Sequence, residues 1–385
     1  MVATQIVMSM SFTFLSPVLP LFLPELGVTT ETAVDLWSGG LASVTSFVAV
    51  FTSPIWGRMS DRYGRKLMVL RSAFAIGACT ALMGLALTPW HLLAARVLMG
   101  AFAGFSSASV VLIASQVPER RLGSALGYLS AGQLVGSLLG PVFGGAMADL
   151  TGSYRMPFFL AASLSMVGFV VCLVWVPEKF VRPTGPAKRQ PSMLKSFRVL
   201  TRVRGMSAML MVLLLTQFGV MAIQPVISLY VLELVGQHAN LGTLGGLAFS
   251  ATGLAGIVAV PLLGRWSDRL GERHILLIAL IGAALTTVPQ AFAGSYWVFV
   301  LERFGVGLFV GAIIPMANAM IGKMMGATDR GFVFGLTSSA YFLGNSLGPL
   351  TGGVVGAAIG LRWVFLVTAA LLAMSAAWVY RGVRA

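Results

Sequence analysis

The sequence predicts an all-α integral membrane protein whose twelve transmembrane helices form two pseudo-symmetric six-helix bundles. Composition, apolar run length and an internal repeat support this fold class. Of the 385 residues, 57% are hydrophobic and 10% are charged, and the mean hydropathy is +0.89. A water-soluble domain of this length cannot bury so much apolar surface, so a lipid bilayer is the expected solvent.

Apolar runs of about 18–25 residues, the length that crosses a hydrocarbon core, occur twelve times along the chain. The first six predicted spans lie near 2–24, 34–56, 67–87, 90–115, 124–148 and 157–176. The other six lie near 206–232, 240–263, 274–292, 296–322, 332–358 and 363–380. The first run is longer than a signal-peptide core and lacks a basic leader, so we interpret it as a transmembrane helix.

The internal repeat has an offset of 207 or 208 residues. The charged decapeptide Gly57–Lys66 returns as Gly264–Arg273 at offset 207. Further matches occur in the same order along both halves, and these pair Pro17 with Pro225, Arg96 with Arg303 and Gly140-Pro141 with Gly348-Pro349. The repeat predicts a first bundle at 1–176, a cytoplasmic linker at 177–205 and a second bundle at 206–385.

The basic residues predict the orientation of the spans. Formal net charge is +14, which by itself could indicate a nucleic-acid-binding protein. If both decapeptides face the cytoplasm, that side collects 22 of the 26 Lys and Arg residues. This asymmetry follows the positive-inside rule, so the charge is topological, both termini are expected in the cytoplasm, and nucleic-acid binding is excluded.

The linker contains a segment, 192–204, with apolar residues on one helical face and basic residues on another. One hypothesis is a short helix that lies on anionic lipid headgroups. A disordered basic linker is the alternative, and the sequence does not separate the two.

The sequence gives no indication of an enzyme, a metal site or a cofactor. Cys79 and Cys172 are isolated in apolar runs, and the three histidines are far apart. We expect both cysteines to be packing residues. A membrane enzyme or receptor would need a catalytic cluster or an additional soluble domain, and the sequence contains neither.

Several motifs resemble those of one transporter family. The decapeptide GRMSDRYGRK resembles the loop signature between helices 2 and 3 of the major facilitator superfamily, and Arg96 with Gly100 resembles its helix 4 signature. The spacing of glycines around Gly140-Pro141 resembles the helix 5 signature of its antiporters. The segments 35–39 and 115–118 are similar to bacterial multidrug exporters in its twelve-helix drug/proton antiporter branch.

The resemblance implies that the decapeptides act as a conformational latch. Gly57 and Gly64 are expected to permit tight turns and close helix contact. The resemblance implies that Asp61 holds span 2 against span 11 and that Asp268 makes the matching contact; a solvated charged turn is the alternative. The remaining latch candidates are Arg62, Arg65 and Arg269.

Glycines recur every fourth residue in spans 5 and 11 and so share one helical face in each. The two series are Gly132, Gly136, Gly140 and Gly144 with Pro141, and Gly344, Gly348, Gly352 and Gly356 with Pro349. Such faces predict close interhelical contact, either as sliding surfaces of a gate or as ordinary packing.

Charged residues within the spans are the candidates for proton coupling. Arg96 and Arg303 could tune a carboxylate or contact substrate, or Arg96 could extend to the headgroups as a structural residue. Asp35 and Glu302 are the candidate proton carriers, although an acid in a first helical turn is also favoured by the helix dipole. Glu25 and Glu233 are expected at the interface, and span 1 has no acid, unlike several relatives in this branch.

The resemblance implies a cavity lined mainly by spans 1, 4, 7 and 10. Polar candidates for its lining are Gln5, Gln133, Gln217, Gln224, Asn318, Tyr341 and Asn345, and aromatic candidates are Phe14, Phe105, Phe218 and Phe342. Scattered amides in an apolar cavity suit lipophilic ligands better than sugars.

The sequence therefore predicts a monomer in the bacterial inner membrane that contacts lipid and exports amphiphilic toxic compounds by proton antiport. The alternative is a metabolite, sugar or lipid exporter, or an uncoupled facilitator, on the same fold.

Overall fold

A computed structural model describes residues 1–178, 205–237, 240–324 and 330–382, with the side chains at 61, 119–120, 322–324 and 330–338 outside the description. The described part contains twelve helices of membrane-spanning length and no β-strand, which confirms the predicted fold class. In the first half they are α1 (Val2–Phe22), α2 (Glu31–Tyr63), α3 (Arg65–Gly84), α4 (Pro89–Gln116), α5 (Glu119–Thr151) and α6 (Met156–Trp175). In the second half they are α7 (Met206–Val235), α8 (Leu241–Leu270), α9 (Glu272–Thr287), α10 (Tyr296–Met324), α11 (Arg330–Ile359) and α12 (Leu361–Gly382).

Three of these helices are interrupted within the membrane-spanning length. The helix α1 breaks between Phe14 and Val18, and α7 breaks between Ile223 and Val226. These breaks lie beside Pro17 and Pro225, which are equivalent in the repeat and have no backbone N–H to donate to the helix. The third break, in α4, has no counterpart in the continuous helix α10.

The decapeptides are almost entirely helical, which corrects their interpretation as loops. Helix α2 continues to Tyr63, and α3 begins at Arg65, so Gly64 alone connects them. In the second copy Gly271 alone connects α8 to α9. Gly64 has φ 104° and Gly271 has φ 83°, a region that side chains other than glycine rarely adopt. The helix continues beyond the apolar run because arginine and lysine have high helix propensity.

The chain forms two compact units, which comprise Met1–Gly185 with Ile227–Ser250 and Pro186–Val226 with Ala251–Ala385. In the first unit, α1 packs on α5 and α6, α3 packs on α6, and α2 packs on α4. Its core includes Phe22 and Phe158, whose ring centroids are 5.2 Å apart. In the second unit, α7 packs on α11 and α12, and α9 packs on α10 and α12.

Individual polar contacts repeat at an offset of 207 residues. The Thr45 hydroxyl donates to the carbonyl oxygen of Arg96, and the Thr252 hydroxyl donates to that of Arg303, each over 3.2 Å. Likewise, Lys66 Nζ donates to the carbonyl oxygen of Leu173 over 2.8 Å. Its equivalent, Arg273 Nη2, donates to Tyr380 over 3.1 Å. The duplication seen in the sequence thus extends to the contacts.

Arg155 is a basic residue in a loop that the predicted topology places on the outer side, and local hydrogen bonds explain its presence there. Arg155 Nη1 donates to the carbonyl oxygens of Gly84, at 3.1 Å, and Ala86, at 2.8 Å. These carbonyls lie at the C-terminal end of α3, where a cation interacts favourably with the helix dipole. The guanidinium also lies 5.1 Å from the ring centroid of Phe22.

Candidate functional site

The connection between α2 and α3 is fastened by a carboxylate that the sequence did not single out. Glu178 Oε1 accepts from the backbone N–H of Arg65 over 2.8 Å, and Oε2 accepts from that of Lys66 over 3.0 Å. These N–H groups belong to the first turn of α3, which has no intrahelical acceptor for them. Glu178 was assigned to the linker, where no local pattern indicated a partner 112 residues away.

The predicted latch residues lie at these connections, but none of the contacts expected of the latch is found among the described residues. The side chain of Asp61 lies outside the described residues, as do the side chains at the start of α11. Arg62 is exposed and lies over its neighbour Tyr63, 5.3 Å from the ring centroid. Asp268 and Arg269 are exposed and form no hydrogen bond or ion pair with any described residue. The latch remains a prediction.

Gly57 does not have the role that we expected. It lies inside α2, and a Cβ there would meet no described atom within 4 Å. Its repeat equivalent, Gly264, has the same open surroundings inside α8. The tight connection depends on Gly64 alone, because the helix continues through Gly57.

The glycine faces of α5 and α11 form the close interhelical contacts that the spacing predicts. A Cβ at Gly136 would overlap the carbonyl oxygen of Ile6, and one at Gly344 would lie 2.8 Å from that of Leu214. Both glycines and both acceptors are related by an offset of 208. The same relation holds for Gly140 and Gly348, which face Met10 and Phe218, and for Gly144 and Gly352, which face Phe14 and Ala222.

The helices remain continuous through Pro141 and Pro349. The α1–α5 and α7–α11 pairs are therefore built on the same backbone-to-backbone contact. Sliding at this contact during a transport cycle remains a prediction.

Arg96 is partly buried and Arg303 is buried. Arg303 is only 7% exposed, and Nε of Arg96 is buried with no hydrogen-bond partner among the described residues. Each lies seven residues after the first residue of its helix, or about 10.5 Å along it at a rise of 1.5 Å per residue. Intramembrane cations are costly, by about 2.5–3.5 kcal/mol on insertion scales, and usually face a protein interior or a cavity.

The two candidate proton carriers lie in different compact units. Asp35 is in the second turn of α2, is 9% exposed and forms no hydrogen bond with a described residue. Glu302, in α10, has a buried Oε2 with no partner among the described residues. Glu25 and Glu233 are both exposed near helix ends, and their position at the membrane interface remains a prediction.

The amide candidates form two interhelical pairs, one in each unit. Gln5 Nε2 donates to Gln133 Oε1 over 3.4 Å, which joins α1 to α5. Gln217 Nε2 donates to Asn345 Oδ1 over 2.7 Å, which joins α7 to α11. The other polar candidates are partly buried: Gln224 at the break in α7, Asn318 in α10, and Tyr341, whose ring lies 6.0 Å from Phe342.

Two aromatic residues proposed for the cavity lining belong to the core instead. Phe14 is 2% exposed and Phe105 is 6% exposed, and both pack in the hydrophobic core of the first unit. The expectation that they line a cavity was wrong, because helical position from one sequence does not define which face meets a neighbour. Phe342 is 41% exposed and Phe218 is partly buried, so both remain candidates.

The break in α4 is held by two residues that we did not predict. Trp56 Nε1 donates to the carbonyl oxygen of Ala101 over 2.6 Å. Arg71 Nη2 donates to the carbonyl oxygens of Phe102, at 3.2 Å, and Ala103, at 3.0 Å. The Arg71 guanidinium lies 3.5 Å from the Trp56 ring centroid, a close cation–π contact. Carbonyls freed by the break thus find donors within the protein, as the membrane interior requires.

A second carboxylate that we did not predict joins α5 to α8. Asp149 Oδ1 accepts from the backbone N–H of Gly242 over 2.9 Å. Its Oδ2 accepts from the backbone N–H and the hydroxyl of Thr243, each over 2.6 Å. The pKa of Tyr154, in the adjacent loop, is raised first by burial and further by the negative charges of Asp149 and Glu25.

The described residues contain no group of three or more metal-ligating side chains. The functional features found are thus buried charges, paired amides and fastened helix ends.

Comparison with known proteins supports a transporter assignment. The family model for the Major Facilitator Superfamily matches residues 1–244 and 235–385. The chain is 37% identical over 384 residues to the multidrug resistance protein MdtG of Escherichia fergusonii, which covers 97% of this chain and 91% of the relative. It is also 37% identical over 377 residues to MdtG of Enterobacter lignolyticus, with 97% and 88% covered.

Solved structures with low sequence identity have the same fold. The nucleoside transporter NupG aligns with a TM-score of 0.73 at 14% identity and covers 99% of both chains. A bacterial homologue of the human lysosomal transporter Spinster aligns with a TM-score of 0.73 at 16% identity, covering 98% of this chain and 95% of that chain. At these identities the likeness concerns the fold alone.

The repeated helices, the family match over both halves and the long alignments to MdtG proteins all lead to one assignment. The chain belongs to the major facilitator superfamily and is a multi-pass membrane transporter, not an enzyme.

Proposed function

We propose that this transporter exports amphiphilic or cationic toxic compounds across the bacterial inner membrane in exchange for protons. The observation that carries the proposal is the 37% identity to a multidrug resistance protein over 97% of the chain. The proposed orientation places both termini and both decapeptides in the cytoplasm, as the distribution of basic residues favours. We propose that the protein acts as a monomer in contact with membrane lipid.

Alternating access is the proposed mechanism. Two copies of one helix bundle, each with the same glycine contacts, are expected to behave as rigid bodies that rock around a shared pocket. The decapeptides, with Asp61 and Asp268, are the proposed latch of one end state. The amides Gln133, Gln217 and Asn345, with Gln224, Asn318 and Tyr341, are the proposed polar positions of the pocket.

Proton coupling requires a carboxyl that each side of the membrane reaches in turn. Asp35 and Glu302 fit best because Asp35 is only 9% exposed and Glu302 has a buried Oε2 without a partner among the described residues. An unpaired buried carboxylate is costly, so proton binding at such a position is favoured. Arg96 and Arg303 are the proposed counter-charges. Each proton that enters releases ~2.3 kcal/mol per 100 mV of membrane potential, which is enough to drive export against a gradient.

The test is dye transport in proteoliposomes with an imposed pH gradient. We expect wild-type transport to accelerate with the gradient and Asp35→Asn to lose that acceleration, because an amide cannot carry a proton. Glu302→Gln is the second variant. Glu25→Gln is the matched control, since Glu25 is an exposed acid near a helix end.

Full gradient dependence in both variants would remove Asp35 and Glu302 as proton carriers. A wild-type protein that moves dyes with no gradient dependence would instead be an uncoupled facilitator. One that moves metabolites, sugars or lipids but no dye would be an exporter of a different substrate class.

A further inference from the structure

We propose that Asp149 is the positioning residue of a gate at the end of the transporter remote from the decapeptides. Its carboxylate fastens the first turn of α8 to the last turn of α5 and so opposes the separation of these two helix ends. The inference rests on the proposed alternating access and adds a residue to which no role is assigned by the sequence motifs or the family resemblance.

The first argument is the completeness of the hydrogen bonding. The N–H groups in the first turn of a helix have no acceptor within the helix. Asp149 supplies one for Gly242 and one for Thr243, and it also accepts from the Thr243 hydroxyl. A carboxylate at a helix N-terminus is favoured by the helix dipole, and charge-assisted bonds are about twice as strong as neutral ones.

The second argument is the seam that continues from this cap along α5 and α8. A Cβ at Gly145 would overlap the carbonyl oxygen of Gly242, and one at Gly246 would overlap that of Pro141. Further along, the Ser250 hydroxyl donates to the carbonyl oxygen of Leu138. The two helices are therefore in contact at intervals from Leu138 to Asp149, with the backbones themselves touching at Pro141 and Gly145.

The third argument is that the cap occurs in one copy of the repeat only. Residues 356 and 357, which are equivalent to Asp149 at offsets of 207 and 208, are Gly and Ala, and neither has a side-chain acceptor. The repeat places α5 in the first copy and α8 in the second. The bond thus joins segments from different copies within the first compact unit, and the duplication did not create it.

The fourth argument is that the bond is reversible. Asp149 is partly exposed, and its neighbours Leu150 and Thr151 are exposed. When the helices separate, water can solvate both the carboxylate and the freed N–H groups. Separation therefore does not leave an unpaired charge buried in the protein. A salt bridge in the middle of the span would lack this property.

The experiment measures access to a reporter cysteine deep in the seam. In a background with Cys79→Ala and Cys172→Ala, Ser250→Cys places a thiol at a position that is 8% exposed. A membrane-impermeant maleimide is applied to right-side-out vesicles, and the labelling rate reports how often the seam opens to the outside.

We expect Asp149→Ala to raise the labelling rate about tenfold, which corresponds to ~1.4 kcal/mol. Asp149→Asn retains one acceptor oxygen and Thr243→Val removes only the hydroxyl bond, so both should give smaller increases. The controls are Thr151→Val, whose hydroxyl bonds only within its own helix end, and Glu31→Gln, an exposed acid near the same end. Both should label at the parent rate.

An unchanged rate in Asp149→Ala, for protein that elutes as a folded species from size exclusion, overturns the gate. An unchanged rate in Asp149→Asn and Thr243→Val would do the same if the alanine variant does not fold. Drug export by the parent is measured separately. If the Asp149 variant labels faster but the parent exports no drug, the gate is retained and the proposed function is rejected. If the parent exports drug but the variant labels at the parent rate, the proposed function is retained and the gate is rejected.

Discussion

At the scale of single residues, charged side chains fasten the ends and breaks of helices. Asp149 and Glu178 cap first turns, and Arg71 and Arg155 bind freed carbonyls. Each interaction joins groups between about 30 and 115 residues apart in the sequence, which is why no local motif revealed it. The sequence identified buried charges such as Arg303 because an arginine within an apolar run is conspicuous without knowledge of its partner.

Replacing Arg71 should destabilise the break in α4. Arg71→Met keeps the apolar stem but leaves the carbonyls of Phe102 and Ala103 without their donor. We expect a loss of about 1–3 kcal/mol, the usual cost of an unsatisfied buried polar group, and hence a lower melting temperature in detergent. Trp56→Phe, which loses only the bond to Ala101, should have a smaller effect.

Arg121→Met is the control for this series, because Arg121 is exposed and binds no described side chain. Equal melting temperatures for Arg71→Met and the control would show that Arg71 does not support the break.

At the scale of helices, the sequence predicted the number of spans and the faces on which two of them pack. Apolar run length is a direct consequence of membrane thickness, and a four-residue glycine period places the glycines on one helical face. Helix ends were less predictable. We interpreted the charged decapeptide at Gly57 as a loop because the apolar run ends there. Charged residues can also continue a helix beyond the apolar run, and α2 continues to Tyr63.

The close contact between α1 and α5 should be sensitive to a single methyl group. Gly144→Ala would force a Cβ into the carbonyl oxygen of Phe14, and overpacking of this kind typically costs ~1–3 kcal/mol. We expect lower folded yield and a lower melting temperature. Gly127→Ala on the same helix meets no atom within 4 Å and should be neutral or slightly stabilising.

The same test applies to Gly352→Ala on α11, which would meet the carbonyl oxygen of Ala222. Stability that is equal for Gly144→Ala and Gly127→Ala would contradict the backbone contact between α1 and α5.

At the scale of the whole molecule, the duplication determines the architecture. The offsets of 207 and 208 found in the sequence recur in hydrogen bonds such as Thr45 to Arg96 and Thr252 to Arg303. Substrate identity does not follow from the repeat, because the amides and aromatic residues that would select a ligand are the positions at which the copies differ. Phe14 and Phe105 show that a cavity lining cannot be assigned from helical position alone.

The central claim is that the two copies lie parallel, with both decapeptides on the cytoplasmic side. Tyr63 and Leu270 are equivalent in the repeat, are 47% and 54% exposed, and each precedes the connecting glycine. Single cysteines at these positions, Tyr63→Cys and Leu270→Cys, are treated with a membrane-impermeant maleimide in everted and right-side-out vesicles. The account predicts labelling of both in everted vesicles only, whereas labelling of the two from opposite faces would contradict it.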